Sequence, residues 1–172
     1  GTNILHVGLP TNFKAAVFAD SAHNAMLRQL ESDIAQVTVE GKDVPVKLRI
    51  YDSLFVPMAK WSMLLTGNYQ CVQPDGVRAI RDAVHGDLAA SEGMYAWVDA
   101  LARALGADAA DQVPFEKYAN AASSLLKPSS AARAIDGGAK TIERVDLLVQ
   151  RIAASIGMQN DLLDETVAIV ND

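Results

Sequence analysis

The strongest constraint on the fold is a helical spacing of apolar residues, which runs from residue 52 to the end of the chain. Apolar side chains recur there every three or four positions, as expected when one face of each α-helix is buried. The spacing predicts a series of helices with these apolar positions: Leu54, Met58, Trp61 and Leu65; Ile80 and Val84; Met94, Trp97, Leu101 and Leu105; Tyr118, Ala122 and Leu125; Ile142, Val145, Leu148, Ile152 and Ile156; and residues 162–170.

Glycines and prolines divide this region into separate helices. Glycine commonly follows the last residue of a helix, and the residue before a proline avoids the α-helical conformation. A short helix over residues 130–135 is also predicted, followed by a break at Asp136-Gly137-Gly138. The predicted helix ends are Gly67, Gly106, Pro128 and Gly157, and the predicted helix starts are Asp75-Gly76, Pro114 and Asn160.

The first 50 residues have a different pattern, with short apolar runs separated by turn-forming residues. Asp20 or Ser21 can cap a helix that runs to Ile34, with Met26, Leu30 and Ile34 on one face. After it, apolar and polar residues alternate on both sides of Gly41-Lys42-Asp43, which predicts a hairpin, and Pro45 places one side of it at a sheet edge. The predicted strands are residues 3–7, 13–19, 37–39 and 44–50.

The sequence therefore predicts a mainly α-helical fold with a small β-containing segment at its N-terminus. We divide it into a β-containing lead-in, residues 1–50, and a helical domain, residues 51–172. A chain of 172 residues fits one domain, or one domain with a short appendage. Half of the residues are apolar, which is enough for a substantial core.

Charge and hydropathy exclude several classes of partner. The net charge is −6, and no stretch concentrates the lysines and arginines that bind nucleic acid phosphates. No apolar run approaches the ~20 residues of a membrane span, and the N-terminus lacks a signal-peptide pattern. We therefore expect a cytoplasmic protein that binds neither nucleic acid nor membranes.

Common cofactor and catalytic motifs are missing from the sequence. No glycine-rich dinucleotide or phosphate loop follows a predicted strand, and Gly137-Gly138 follows a helix instead. His6, His23 and His85 lack the spacing of metal ligands, so we expect no metal site. Cys71 is the only cysteine, and we interpret it as a buried structural thiol.

Lys60 is a charged residue among apolar neighbours, with Asn68 two helical turns later. Its ammonium group either extends to solvent or points into a cleft that binds an anion. In the first case Asn68 is only a helix cap. In the second case the two side chains share one face of a binding site.

A second group of polar residues comprises Ser129, Ser130, Gly138, Thr141 and Glu143. Hydroxyl groups beside the start of a helix can hold a carboxylate or another polar ligand. The same residue types are also common helix caps and first-turn residues. The sequence leaves both interpretations open.

These two groups resemble motifs of the C-terminal helical domain of ketopantoate reductases, a domain whose architecture resembles that of 6-phosphogluconate dehydrogenases. In the family, a lysine is followed by asparagines four and eight residues later, and here those positions are Lys60, Leu64 and Asn68. A later family segment reads Ser-Ser-Met, a glycine, then Thr-Glu-Ile-Asp. Its approximate counterparts here are Ser129-Ser130, Gly138 and residues 141–143, with either Thr141 or Glu143 at the glutamate position.

The resemblance implies an NADPH-dependent oxidoreductase that acts on a small 2-oxo acid. It makes Lys60 the general acid that protonates the substrate carbonyl. It assigns substrate binding to Asn68, Ser129, Ser130, Thr141 and Glu143. NADP would be bound by a dinucleotide-binding domain outside this sequence, of which residues 3–19 are the last strands, and the helical domain would form a homodimer.

Two other functions remain open from the sequence. One is a non-catalytic helical module whose apolar stripes serve self-association or a protein partner. The other is a relative of the C-terminal domains of other hydroxyacid or phosphogluconate dehydrogenases, which share the helical architecture but differ in the spacing of polar residues.

Overall fold

A computed structural model of the chain describes residues 11–171. About 60% of the protein is helix and 11% is strand, which confirms a mainly α-helical fold with small sheets. The chain forms two compact units, Gly1–Pro57 and Met58–Asp172. The strand predicted over residues 3–7 and the histidine His6 lie outside the described residues.

The first unit is built around two parallel strands joined by a helix. Its elements are β1 (Thr11–Ala16), α1 (Ser21–Gln36), β2 (Thr38–Val39), β3 (Lys42–Asp43) and β4 (Val46–Tyr51). β1 and β4 pair in parallel, with Phe13 opposite Leu48. This strand–helix–strand arrangement is the repeating unit of parallel α/β sheets.

The start of α1 is confirmed, but its predicted apolar face is wrong. The Asp20 carboxylate accepts the backbone N–H groups of Ala22 and His23, as an N-cap does. Met26 and Leu30 are 71% and 49% exposed. Arg28 and Glu31 hydrogen-bond the backbone of Ile50 in β4, and these bonds set the rotation of α1 about its axis.

The predicted hairpin is confirmed in a shorter form. β2 and β3 form an antiparallel pair, and the turn residues Glu40 and Gly41 have φ angles of 52° and 74°. Such angles match the right-handed twist of the strands. The strand after Pro45 pairs with β1 instead of extending the hairpin. Its alternating Val46, Leu48 and Ile50 are less exposed than the residues between them, as expected for the face that packs against α1.

The second unit is a helical bundle with one small hairpin. After the short helix α2 (Phe55–Met58), the chain continues through α3 (Lys60–Met63), a π-helical turn (Leu64–Asn68) and a 3₁₀ turn (Tyr69–Cys71). The hairpin consists of β5 (Val72–Gln73) and β6 (Gly76–Val77). The remaining elements are α4 (Ile80–His85), α5 (Leu88–Ala104), a 3₁₀ turn (Ala109–Asp111), α6 (Phe115–Ala122), α7 (Ser130–Asp136), α8 (Val145–Ser155) and α9 (Asp161–Asn171).

The core of the second unit surrounds α5 and the π-helical turn. Leu65 is completely buried there against side chains of α5, α8 and α9. A second cluster contains Tyr95 and Tyr118, whose rings stack at a centroid distance of 5.7 Å. Cys71 is fully buried, as predicted, and its thiol donates a hydrogen bond to the Gly67 carbonyl.

Several predicted boundaries in this unit are confirmed. α5 ends just before Gly106, Pro114 precedes α6, and a break at residues 137–138 follows α7. The Asn160 side chain accepts the backbone N–H of Leu163, so it caps α9 as predicted. In each case a local cap or a glycine determines the boundary.

Three other predicted boundaries are wrong. Gly67 does not end a helix, because the backbone continues through the π-helical turn. Asp75-Gly76 forms the turn of the β5–β6 hairpin, and α4 begins only at Ile80. α6 ends at Ala122, so Leu125 lies beyond it and is 41% exposed.

The predicted apolar stripe of α8 is also wrong in part. Ile142 precedes the helix, and Leu148 and Ile156 are 48% and 43% exposed. The buried face instead contains Val145, Asp146, Val149 and Ala153. The buried Asp146 lies on this face in place of an apolar residue, and its ion pair with Arg144 fixes the start of α8.

Within the described residues, every helix is too short or too polar to cross a membrane.

Candidate functional site

A cavity of about 280 Å³ gathers polar side chains from three separated segments of the second unit. We call it the Asn68–Glu143 cavity. The π-helical turn, the helix α7 and the loop before α8 each contribute to its wall. Its lining residues are Leu64, Asn68, Tyr69, Ser130, Ala131, Ala134, Thr141, Ile142 and Glu143.

The cavity brings together four of the six residues singled out from the sequence, namely Asn68, Ser130, Thr141 and Glu143. Lys60 and Ser129 are not part of its lining. Thr141 and Glu143 lie in the loop before α8 and not in its first turn, since α8 starts at Val145. Both are exposed and accessible to a ligand.

The π-helical turn determines how Asn68 reaches the cavity. The residues before and after this turn have helical backbone angles, so the chain remains helical from Lys60 to Cys71. The wider π geometry places one extra residue in the turn, and such insertions are frequent at functional sites. Leu64 and Asn68, at the two ends of this turn, both line the cavity.

Ser129 connects the two walls of the cavity. It is 3% exposed, and its hydroxyl donates a hydrogen bond of 2.7 Å to the Asn68 carbonyl. The same oxygen accepts the backbone N–H of Ala132 at 3.1 Å, so Ser129 is the N-cap of α7. The single proton of the hydroxyl is used by the bond to Asn68, and Ser129 positions Ser130 beside Asn68.

Tyr69 holds the loop that carries Glu143. Its buried hydroxyl donates to the Glu143 carbonyl at 2.6 Å and accepts the backbone N–H of Val145 at 2.9 Å. Burial raises the pKa of Tyr69, so the hydroxyl remains a donor at neutral pH. One side chain thus fixes both the loop and the start of α8.

We expect Tyr69→Phe to destabilise the second unit by about 1–3 kcal/mol, since it leaves the Glu143 carbonyl and the buried Val145 N–H without their partner. Urea unfolding followed by circular dichroism measures the change. Tyr51→Phe is the control, because the Tyr51 hydroxyl has no hydrogen bond within the described residues. Equal stability of the two variants would contradict a structural role for the Tyr69 hydroxyl.

An ion pair stabilises the same loop from the other side. Asp146 is completely buried and accepts three hydrogen bonds from the Arg144 guanidinium, at 2.8 to 3.2 Å. Arg144 also donates to the Asn171 side chain at 2.7 Å. The hydrogen bonds that Arg144 donates to Asp146 raise the pKa of Arg144, which is therefore a structural cation at the start of α8.

Lys60 lies one helical turn before Leu64 on the same helical segment and is exposed. Residues four apart on a helix share a face, so Lys60 lies on the side of the helix that leads to the cavity. Glu143 is the one charged residue in the lining. The lining otherwise offers hydroxyl groups, one amide and an apolar floor.

The connection between β1 and α1 does not fit the diphosphate of a dinucleotide. Such a diphosphate needs backbone N–H groups at a glycine-rich connection between a strand and a helix. The connection from β1 to α1 is Val17-Phe18-Ala19-Asp20, without glycine. The Asp20 carboxylate already accepts the first N–H groups of α1 and would repel a phosphate.

Comparisons with protein-family models, with curated proteins and with solved structures give no match for this chain. The geometry of the Asn68–Glu143 cavity therefore carries the functional argument.

Sequence reasoning missed the residues that support the cavity. Tyr69, Arg144 and Asp146 position its loop, and Ala131, Ala134 and Ile142 form its apolar floor. Arg144 and Asp146 flank the first residue of α8, a spacing that lets one pair with the other at a helix start. Tyr69 has no comparable local signal, because its partners lie 74 and 76 residues later.

Proposed function

We propose that residues 58–172 form the substrate-binding and dimerising domain of a ketopantoate-reductase-like, NADPH-dependent oxidoreductase. The single observation that carries this proposal is the meeting of Asn68 with Ser130, Thr141 and Glu143 in one cavity. Those residues come from two motifs about 60 residues apart in the sequence, and the resemblance assigns both motifs to one substrate.

The cavity has the size and chemistry for a small polar acid. Its volume of about 280 Å³ lies just below the ~300–1,000 Å³ that is usual for small-molecule sites, which suits a small ligand. Asn68, Ser130 and Thr141 provide neutral hydrogen-bond donors for a carboxylate or carbonyl oxygen. Glu143 accepts a hydrogen bond from a hydroxyl group, which favours a substrate that carries both groups.

In this proposal each residue has a distinct task. Lys60 donates a proton to the substrate carbonyl oxygen, and Asn68 and Ser130 orient the acid. Ser129 and Tyr69 do not touch the substrate, but hold Ser130 and the Glu143 loop in place. Leu64 replaces the polar residue of the family pattern, so the substrate makes one polar contact fewer.

NADPH supplies reducing equivalents in this family, and its binding is assigned to a dinucleotide domain outside the described residues. The β1–α1–β4 arrangement supports that assignment. Parallel strands are normally found in larger sheets that are covered on both faces, so a two-stranded parallel sheet indicates an edge of such a sheet.

The proposal is tested by measuring NADPH oxidation by the natural gene product with a panel of 2-oxo acids, including ketopantoate and 2-oxoisovalerate. We expect a hydroxyl-bearing acid to be the better substrate. Asn68→Ala should raise its KM about tenfold, and Asn120→Ala, an exposed asparagine on α6, should not. Absence of NADPH oxidation with every acid would refute the proposed function.

Exposed apolar residues favour a second candidate, a non-catalytic module for self-association. On α8, Leu148 is 48% exposed, and in the first unit Met26 is 71% exposed. Light scattering, together with the NADPH oxidation assay, distinguishes the two candidate functions. A dimer that is inactive toward every oxo acid supports the self-association module.

A further inference from the structure

A second cavity lined by residues of the second unit lies between α5, α8 and α9, apart from the Asn68–Glu143 cavity. Its volume is about 430 Å³. We call it the Trp97–Asp164 cavity. The residues that matter for its chemistry are Trp97, Gln150, Arg151, Met158, Gln159 and Asp164.

The Asp164 carboxylate is oriented by neutral groups. The Gln150 amide donates to one of its oxygens at 2.7 Å, and the Gln159 amide donates to the other at 3.1 Å. Within the described residues, no Lys, Arg or His nitrogen lies within 4.0 Å of it. Its negative charge is thus held in place at the cavity wall without a cation.

Arg151 lines the same cavity and forms no ion pair with Asp164. A guanidinium group binds carboxylates through two parallel hydrogen bonds. Trp97 and Met158 complete the wall with apolar surface, and an indole ring also attracts cations. One cavity therefore offers a carboxylate, a guanidinium and an apolar wall, none of which neutralises another.

We propose that the Trp97–Asp164 cavity binds a small free α-amino acid. The ligand ammonium group pairs with Asp164, the ligand carboxylate pairs with Arg151, and the side chain contacts Trp97 and Met158. A simple amine satisfies only Asp164, and a simple acid satisfies only Arg151. The charge pattern therefore favours a zwitterion, and this binding is separate from the proposed oxo-acid site.

The test is calorimetric titration of the chain with each of the common L-amino acids, with n-propylamine and with propionate. We expect at least one amino acid to bind about tenfold more tightly than either single-charge probe. The same amino acid should raise the melting temperature in a concentration-dependent way.

Arg151→Gln should weaken that binding about tenfold, and because Arg151 is exposed the fold should persist. Asp164→Asn should weaken it at least as much. Asp161→Asn is the control, since Asp161 is an exposed carboxylate on the same helix outside the cavity lining. Binding of n-propylamine as tight as that of every amino acid, or no binding by any probe, would overturn the proposal.

Discussion

Gly67→Ala is expected to destabilise the second unit by about 2–4 kcal/mol. A Cβ at this position would overlap the Tyr118 hydroxyl and lie 3.3 Å from the Ile80 side chain. Tyr118 cannot simply move, because it is 7% exposed and its ring stacks on Tyr95. Its hydroxyl also donates to the Met63 carbonyl at 3.0 Å.

The expected loss corresponds to a fall in melting temperature of about 10 °C or more. Differential scanning calorimetry and urea unfolding measure it. Gly93→Ala is the matched control, because Gly93 lies within α5 and the added Cβ would meet no atom within 4 Å apart from its chain neighbours and the backbone of its own helix. In that helix interior, alanine should stabilise the protein by ~0.5–1 kcal/mol.

A double variant identifies the cause of the Gly67 effect. Tyr118→Phe removes the oxygen that the new Cβ would overlap, so Gly67→Ala should cost less in a Tyr118→Phe background than in the natural sequence. If Gly67→Ala were equally costly in both backgrounds, the hydroxyl would not be the cause. A Gly67→Ala variant as stable as the natural protein would disprove the close contact.

The second large effect concerns Lys60 and rests on the proposed oxidoreductase function. Lys60→Ala in the natural gene product should lower kcat about a hundredfold or more, as expected when a general acid is lost. Lys60 is exposed, so the melting temperature should change little. Steady-state kinetics with NADPH and the best oxo acid measure kcat and KM.

Two further variants separate proton donation from charge. Lys60→Arg keeps the positive charge, but a guanidinium is too weak an acid to donate its proton to the substrate. The kcat of this variant should therefore remain low. Lys117→Ala removes another exposed lysine, on α6, and should leave kcat unchanged. Turnover by Lys60→Ala equal to that of the natural protein would remove Lys60 from the mechanism.

The sequence predicted much of the second unit because its local signals are strong. α5 and α9 follow directly from helical spacing, and Ser129 and Asn160 cap α7 and α9. Each cap acts on backbone groups two or three residues away, so the sequence alone contains both partners. The same is true of the β2–β3 turn at Gly41.

Four of the candidate site residues also come together as the two polar motifs suggested. Asn68 meets Ser130 because Ser129 hydrogen-bonds the Asn68 carbonyl across 61 residues. The motifs identified the residues, but not this bond. Whether those residues bind an oxo acid remains a prediction.

What the sequence determined by itself is the mainly helical class, most helix caps and the identity of the polar residues, since these depend on neighbours within one turn of the chain. The tertiary structure decided the rest. The helix continues past Gly67, because the absence of a side chain at this residue leaves room for Tyr118. The Arg144–Asp146 ion pair also determines which face of α8 is buried, and β4 pairs with β1. These outcomes depend on contacts between distant residues, whose energies outweigh local preference.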